Sequence, residues 1–294
     1  MLWGCGAPND HERNGKHQAV PDFHSLQEMM KENPNPRYFE RCSLLILVVA
    51  IAAVAATFFL PPIAQDVAYH DFADKREILG ISNFFNVVSN VPFFVIGVWG
   101  LVFLRRRTLA VSKEEIPAFM TLFSGIALTG FGSVYYHLAP SNATLFWDRL
   151  PMTMIFMSLM AVIIGERISP AEGRWLLPIF LAVGFASVVY WRVTELQGAG
   201  DLRFYGFVQF FPVLAIPLII FLYPSARTGT AKLIAAGGFY LFAKIAEVLD
   251  APIFEFSGMV SGHTVKHLMA GIASYWLLLL LTDRAMREEE EIMH

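Results

Sequence analysis

The chain has 294 residues, of which 55% are hydrophobic and 16% charged, and its formal net charge is −3. An ordinary soluble domain carries about 25% charged residues, so this composition excludes that class, and the near-neutral charge offers no basic surface for nucleic acid. Two cysteines, Cys5 and Cys42, exclude a disulfide framework and a cysteine-rich metal site.

In chain order, residues 1–42 are polar and rich in Pro, Asn, Lys, Glu and His, and read as a mobile cytosolic tail. Its histidines His11, His17 and His24 read as surface groups. The stretch is too long and too acidic for an ordinary signal peptide, so the first apolar run reads as a retained membrane helix. Eight apolar spans follow, at about 43–64, 81–104, 116–138, 146–165, 175–191, 204–223, 231–250 and 263–282. Each is long enough to cross a hydrocarbon core. Pro151, Pro178, Pro212 and Pro217 fall inside them, which membrane helices tolerate. The expected fold is all-α, a polytopic membrane helix bundle. Its expected parts are the tail, a transmembrane helix at 43–66, a main domain at 67–285 and an acidic C-terminal tail at 286–294.

Basic residues set the expected orientation. One set of ends and loops holds Lys31, Arg37, Arg41, Arg105, Arg106, Arg107, Lys113, Arg167, Arg174, Arg227, Lys232, Arg284 and Arg287. The opposite set holds only Lys75, Arg76, Arg192 and Arg203, offset by acids. The two sets alternate across the spans, which puts both termini in the cytosol.

Within the apolar region only three histidines occur: His137, His263 and His267. His263 and His267 are four apart and share one helical face. His137 closes the third span, one turn after Ser133, and Asp148 follows at the start of the fourth. The alternation sends all five residues to the same, non-cytoplasmic end. Three imidazoles can hold a zinc ion with a position left for water, and the ion acidifies that water towards a pKa of ~7. Asp148 could accept a proton or orient an imidazole, and Ser133 could donate to a developing oxyanion. Each group also has a bland reading: an interface anchor for a histidine, a packing residue for Ser133, an ion pair with Arg149 for Asp148. Their convergence at one depth favours the metal site.

Lys244, Glu247 and Asp250 recur every three residues near the same end. Unpaired, a Lys or Asp costs ~2.5–3.5 kcal/mol at mid-membrane, so a polar network supporting the site is expected. Lys266 reads as a snorkelling residue directed away from the histidine face. Asp201, Arg203 and Gln209 share this side, and either grip a head group or order a loop. Asn142-Ala143-Thr144 is a glycosylation sequon close to the bilayer.

The segments Gly132-Ser133-Val134-Tyr135-Tyr136-His137, Trp147-Asp148-Arg149 and Ser261-Gly262-His263-Thr264-Val265-Lys266-His267 resemble the alkaline ceramidases. These belong to the CREST group of membrane hydrolases, which also contains the adiponectin-receptor-like proteins. The Ser–His spacing, the Asp eleven residues later and the terminal HxxxH match the ceramidase branch over about residues 70–285. The resemblance implies a seven-helix core, to which the first span is an addition. It implies zinc on His137, His263 and His267, Asp148 as general base and Ser133 as support for water and intermediate. It also implies a calcium loop before the core. Asp71, Asp74 and Glu77 offer oxygens there, but the loop lacks the family's Trp, and Asn83 stands where the family has a Glu ligand. A solvated loop is therefore the favoured reading.

The expected function is zinc-dependent cleavage of the N-acyl amide of a ceramide-like membrane lipid, giving a fatty acid and a sphingoid base. The alternative is a lipid-sensing, receptor-like protein with a structural zinc. A haem carrier fits the Asp and Ser poorly, and a transporter would spread its polar groups across the membrane. Expected localisation is the endomembrane system (ER/Golgi) in a eukaryote or the inner membrane in a bacterium.

Overall fold

A computed structural model describes residues 36–106, 111–223 and 229–293. Helix α1 spans Pro36–Phe59, α2 Phe84–Val88, α3 Val91–Arg106 and α4 Ile116–Leu138. Helix α5 spans Asn142–Arg167, α6 Pro170–Leu196 and α7 Arg203–Leu222. Helix α8 spans Thr230–Val248, α9 Asp250–Ser257 and α10 Gly262–Met293. A 3-10 turn at Val67–His70 precedes α2. The architecture is the expected all-α polytopic bundle.

Among the described residues, seven helical spans are long and apolar enough to cross a membrane: Arg41–Phe59, Phe84–Arg106, Ile116–Leu138, Asn142–Arg167, Pro170–Leu196, Arg203–Leu222 and Gly262–Arg284. The expected span at 231–250 is α8, which stands apart from these seven. Its 19 residues include Lys232, Lys244 and Glu247, and it packs along α10. Its charges are paired: Lys232 with Asp283, and Glu247 with both Lys244 and Lys266.

Other boundaries differ from expectation. Helix α1 starts at Pro36, inside the segment assigned to the tail. The second span is broken between α2 and α3 at Ser89 and Asn90, where side chains compete for backbone acceptors. Asn90 Nδ2 donates to the Asn86 carbonyl at 2.6 Å, and Ser89 Oγ to the same carbonyl at 3.2 Å. The acidic C-terminal segment is helical, since α10 runs to Met293. Cys5, His11, His17, His24, Lys31, Arg107 and Arg227 lie outside the described residues.

The main core packs Phe119, Leu122, Phe123 and Ile126 of α4 against Val162 and Ile163 of α5 and Leu278 and Leu281 of α10. At the end of the bundle remote from the histidines, Arg284 of α10 binds Glu166 of α5, and its Nη1 reaches Glu115, before α4, at 3.4 Å. Arg167 adds bonds to the Tyr223 carbonyl and Thr230 Oγ1 at 3.2 and 2.7 Å. Paired buried charges fix the register of helices whose apolar faces could otherwise slide.

Candidate metal centre

His137 lies in the last turn of α4, while His263 and His267 lie in the first turns of α10. All three are buried. Their ring centroids are 4.8, 4.9 and 4.9 Å apart, and one nitrogen from each lies within 4.8 Å of the others. Imidazole nitrogens sharing a tetrahedral zinc are roughly 3.4 Å apart, from Zn–N bonds of about 2.1 Å, so closure needs only small ring movements. Both His137 nitrogens are buried with no hydrogen-bond partner. Such a group is costly unless something accepts it, and a cation does so. The donor set fits zinc.

Two glycines permit the approach. A Cβ on Gly132 would lie 2.1 Å from the Trp147 carbonyl oxygen, and one on Gly262 would lie 2.2 Å from that of Ala246. Each glycine neighbours a site residue, Ser133 or His263. The first lets α4 touch α5, which brings Ser133 near the Asp148 carboxylate. Ser133 and Asp148 are buried. The second lets α10 begin against α8. Asp250 Oδ1 accepts from the His263 backbone N–H at 2.7 Å, and Oδ2 from that of Ala73 at 2.9 Å.

A further shell escaped the reading of the sequence. Ser89 Oγ lies 2.8 Å from His267 Nδ1, the contact that fixes the orientation of a ligating imidazole. Asn86 Oδ1 accepts from Thr264 Oγ1 at 2.9 Å and Ser261 Oγ at 3.4 Å, fastening α2 to the start of α10. Phe72 is packed 4.7 Å from both the His137 and His263 rings, so the loop before α2 roofs the cluster. His70 is not in the cluster; its nitrogens meet Tyr136 Oη and Asn142 Oδ1, each at 2.9 Å. Asn142 of the sequon is thus engaged by side chains.

The roof loop uses its acids internally. Asp74 is buried and binds Arg76 at 2.6 Å, and the Arg76 guanidinium holds the Asp74 carboxyl below the usual carboxylate range. Asp71 pairs with Lys75, while Arg76 also donates to the Met259 carbonyl and lies 4.7 Å from the Phe85 ring. Asn83 adopts φ 51° and donates from Nδ2 to the His137 carbonyl at 2.8 Å. A carboxylate could not make that donation, which gives Asn83 a purpose unrelated to calcium.

One expectation is corrected, and one bland reading is set aside. Lys266 does not snorkel: its Nζ binds Glu247 Oε1 at 2.7 Å and lies 3.2 Å from His263 Nε2. As residue i+3 from His263, it sits on the adjoining face. Asp148 is not an ion-pair partner of Arg149 among the described residues. Arg149 instead bonds Gln65 Oε1 at 2.6 Å and sits 4.3 Å from the Trp191 ring and 4.7 Å from that of Tyr205. The expected network does form. Glu247 joins Lys244 and Lys266, and accepts from Tyr69 Oη at 2.9 Å.

A search of the curated proteins finds no match. The family description named Ceramidase matches residues 79–292, which takes in the short helix α2, α4 with Ser133 and His137, Asp148 of α5 and both histidines of α10. On that match, the chain belongs to the Ceramidase family.

Proposed function

We propose that this chain is a zinc-dependent amidohydrolase that cleaves ceramide-like N-acyl lipids to a fatty acid and a sphingoid base. The observation that carries the reading is three buried, mutually close histidines together with buried Ser133 and Asp148, in a chain of the Ceramidase family.

His137, His263 and His267 would hold the ion. When bound, zinc supplies Lewis acidity and a water acidic enough to ionise near neutral pH. Asp148 accepts a proton from the attacking water and delivers it to the leaving nitrogen, so the amide C–N bond breaks to a carboxylic acid and an amine. Ser133 orients that carboxylate and is placed to donate to the carbonyl oxygen as charge develops there. Ser89 holds the His267 ring, and Phe72 keeps bulk water from the cluster. The polar groups gather at one end of the bundle, matching an amide near the head-group level while acyl chains lie among the helices. The distribution of basic loop residues supports a non-cytoplasmic position for that end.

The test is zinc stoichiometry of the purified protein together with fatty-acid release from a ceramide panel in detergent. One zinc per chain with release that stops on chelation and returns with zinc is expected. Bound zinc without release from any N-acyl lipid would replace this reading with the receptor-like one.

A further inference from the structure

Three charged side chains stand beside the histidines. Lys266 of α10 places its Nζ 2.7 Å from Glu247 Oε1 and 3.2 Å from His263 Nε2. Glu247 of α8 takes Lys244 on its other oxygen and Tyr69 Oη on the first. The group therefore holds two ammoniums and one carboxylate, a surplus of one positive charge. It is largely withdrawn from solvent, with the Lys266 side chain 16% exposed and that of Glu247 12%. The Lys266 charge also reaches the Asp148 carboxylate.

An ammonium beside a metal ligand is a liability, because it repels the cation that the three imidazoles would hold. Its donors are also poorly matched to the protein. An ammonium carries three N–H groups. Glu247 takes one, and among the described residues the only other acceptor is His263 Nε2. That second bond is incompatible with a ligating histidine. A neutral imidazole has one free lone pair, and its other nitrogen carries a hydrogen. With the lone pair spent on a metal, His263 offers a donor nothing at either nitrogen. Two Lys266 N–H groups are then left at the centre, and buried donors without acceptors are costly. Their positive charge selects a negatively charged oxygen as the complement.

Amide hydrolysis supplies such an oxygen. Attack of the water oxygen on the amide carbon moves the C=O π pair onto the acyl oxygen, while Asp148 takes the water's proton and becomes neutral. Negative charge thus leaves Asp148 and appears on the acyl oxygen. When the C–N bond breaks, its electron pair goes to the nitrogen, which takes the proton back from Asp148. The acyl part leaves as a carboxylic acid, which ionises to a carboxylate. Lys266 transfers no proton in this sequence. It is a fixed cation, anchored by Glu247, that favours negative charge where the charge develops.

We propose that Lys266 is a further catalytic residue, whose ammonium donates to the acyl oxygen of the substrate and retains the carboxylate of the released fatty acid. The centre is then a binding site for long-chain carboxylates, and the acid product inhibits the reaction. The proposal rests on the amidohydrolase reading for the acyl oxyanion, but not for carboxylate binding.

The experiment uses the full-length, zinc-loaded protein in neutral detergent. It reads zinc affinity by chelator competition, palmitate and hexadecanol binding by native mass spectrometry, and fatty-acid release from N-palmitoyl sphinganine. Palmitate should bind at least about tenfold more tightly than hexadecanol, the scale of one charge-assisted hydrogen bond. Lys266→Met leaves Glu247 paired with Lys244, so it strands no carboxylate. It should cut palmitate affinity by about tenfold while leaving that for hexadecanol within about twofold. Zinc affinity should hold or rise, since a repelling charge is gone. The kcat should fall by about 10²–10³-fold, as for loss of an oxyanion donor, with KM within about threefold. Lys266→Arg should retain part of the palmitate preference. A merely structural role for Lys266 would lower zinc affinity and weaken both ligands alike, which would sink the proposal. Equal binding of palmitate and hexadecanol by the unsubstituted protein would overturn it without recourse to any variant. Unchanged turnover and palmitate binding in Lys266→Met would leave the hydrolase reading standing and remove Lys266 from it. Lys266-dependent palmitate binding without release from any N-acyl lipid would uphold the carboxylate site and remove the hydrolase reading.

Discussion

Asp148 is buried, and among the described residues it forms no ion pair with its neighbour Arg149, which leaves its carboxylate open to the proposed proton transfer. Asp148→Asn should therefore retain zinc while turnover falls by about 10²–10⁴-fold, the usual contribution of a positioned general base. Equal turnover would remove Asp148 from the chemistry. Ser89 is a sharper case, because nothing in its local sequence marks it. Only the contact with His267 Nδ1 at 2.8 Å gives it a part in the metal centre. Ser89→Ala should lower zinc affinity by about 10–100-fold in a competition titration with a chelator, and unchanged affinity would show the contact to be incidental. The three candidate ligands were legible because histidine is conspicuous in an apolar run. Serine is not, since it also packs silently between membrane helices. Lys266 was misjudged from its name, although its i+3 relation to His263 already placed it on the adjoining face.

At the scale of the elements, two close approaches assemble the site: α4 on α5 at Gly132, and α10 on α8 at Gly262. A methyl group at Gly132 would collide with the backbone of α5 and not with a side chain able to swing aside. Gly132→Ala should lower stability by about 1–3 kcal/mol, read as a fall in melting temperature, and should separate Ser133 from Asp148. The junction of α6 and α7 is held differently. Asp201 accepts two bonds from Arg203 Nε, at 2.9 and 3.1 Å, and Arg203 also donates to the Leu60 carbonyl after α1. The Arg203 hydrogen bonds hold the Asp201 carboxyl down at about 2. With the folded value below the unfolded one, the clasp contributes its full stability above the ordinary aspartate range and loses it as pH falls towards 2. The difference in melting temperature between the unsubstituted protein and Asp201→Asn should be constant from pH 7 to about 5 and shrink below about 4. A difference that vanished already near neutral pH would contradict the assignment.

For the whole molecule, the alternating basic loops carry an expected sidedness that the helix packing alone leaves open. Met259, exposed between α9 and α10, should lie on the non-cytoplasmic side. A cysteine placed there should react with an impermeant maleimide in intact cells, and labelling only after lysis would invert the orientation. Helix existence was legible throughout, because 20-residue apolar runs have few alternatives in a membrane. The span Ile116–Leu138 was expected with its observed limits. The break in the second span was missed because it depends on Ser89 and Asn90 redirecting backbone bonds, a competition that composition does not display. The charged helix α8 was read from its apolar residues, whereas its Glu247 reaches Lys266 of α10 and Tyr69. By itself, then, the sequence determined the helical architecture and singled out the three imidazoles, Asp148 and Ser133 as candidates, since periodicity and rare residue types are local properties. Only the tertiary structure decided that Ser89 would hold a ligand ring, that Phe72 would roof the cluster and that Arg149 would turn from Asp148 to Gln65. These outcomes depend on which helix faces meet, and that is settled by close packing between segments far apart in the chain.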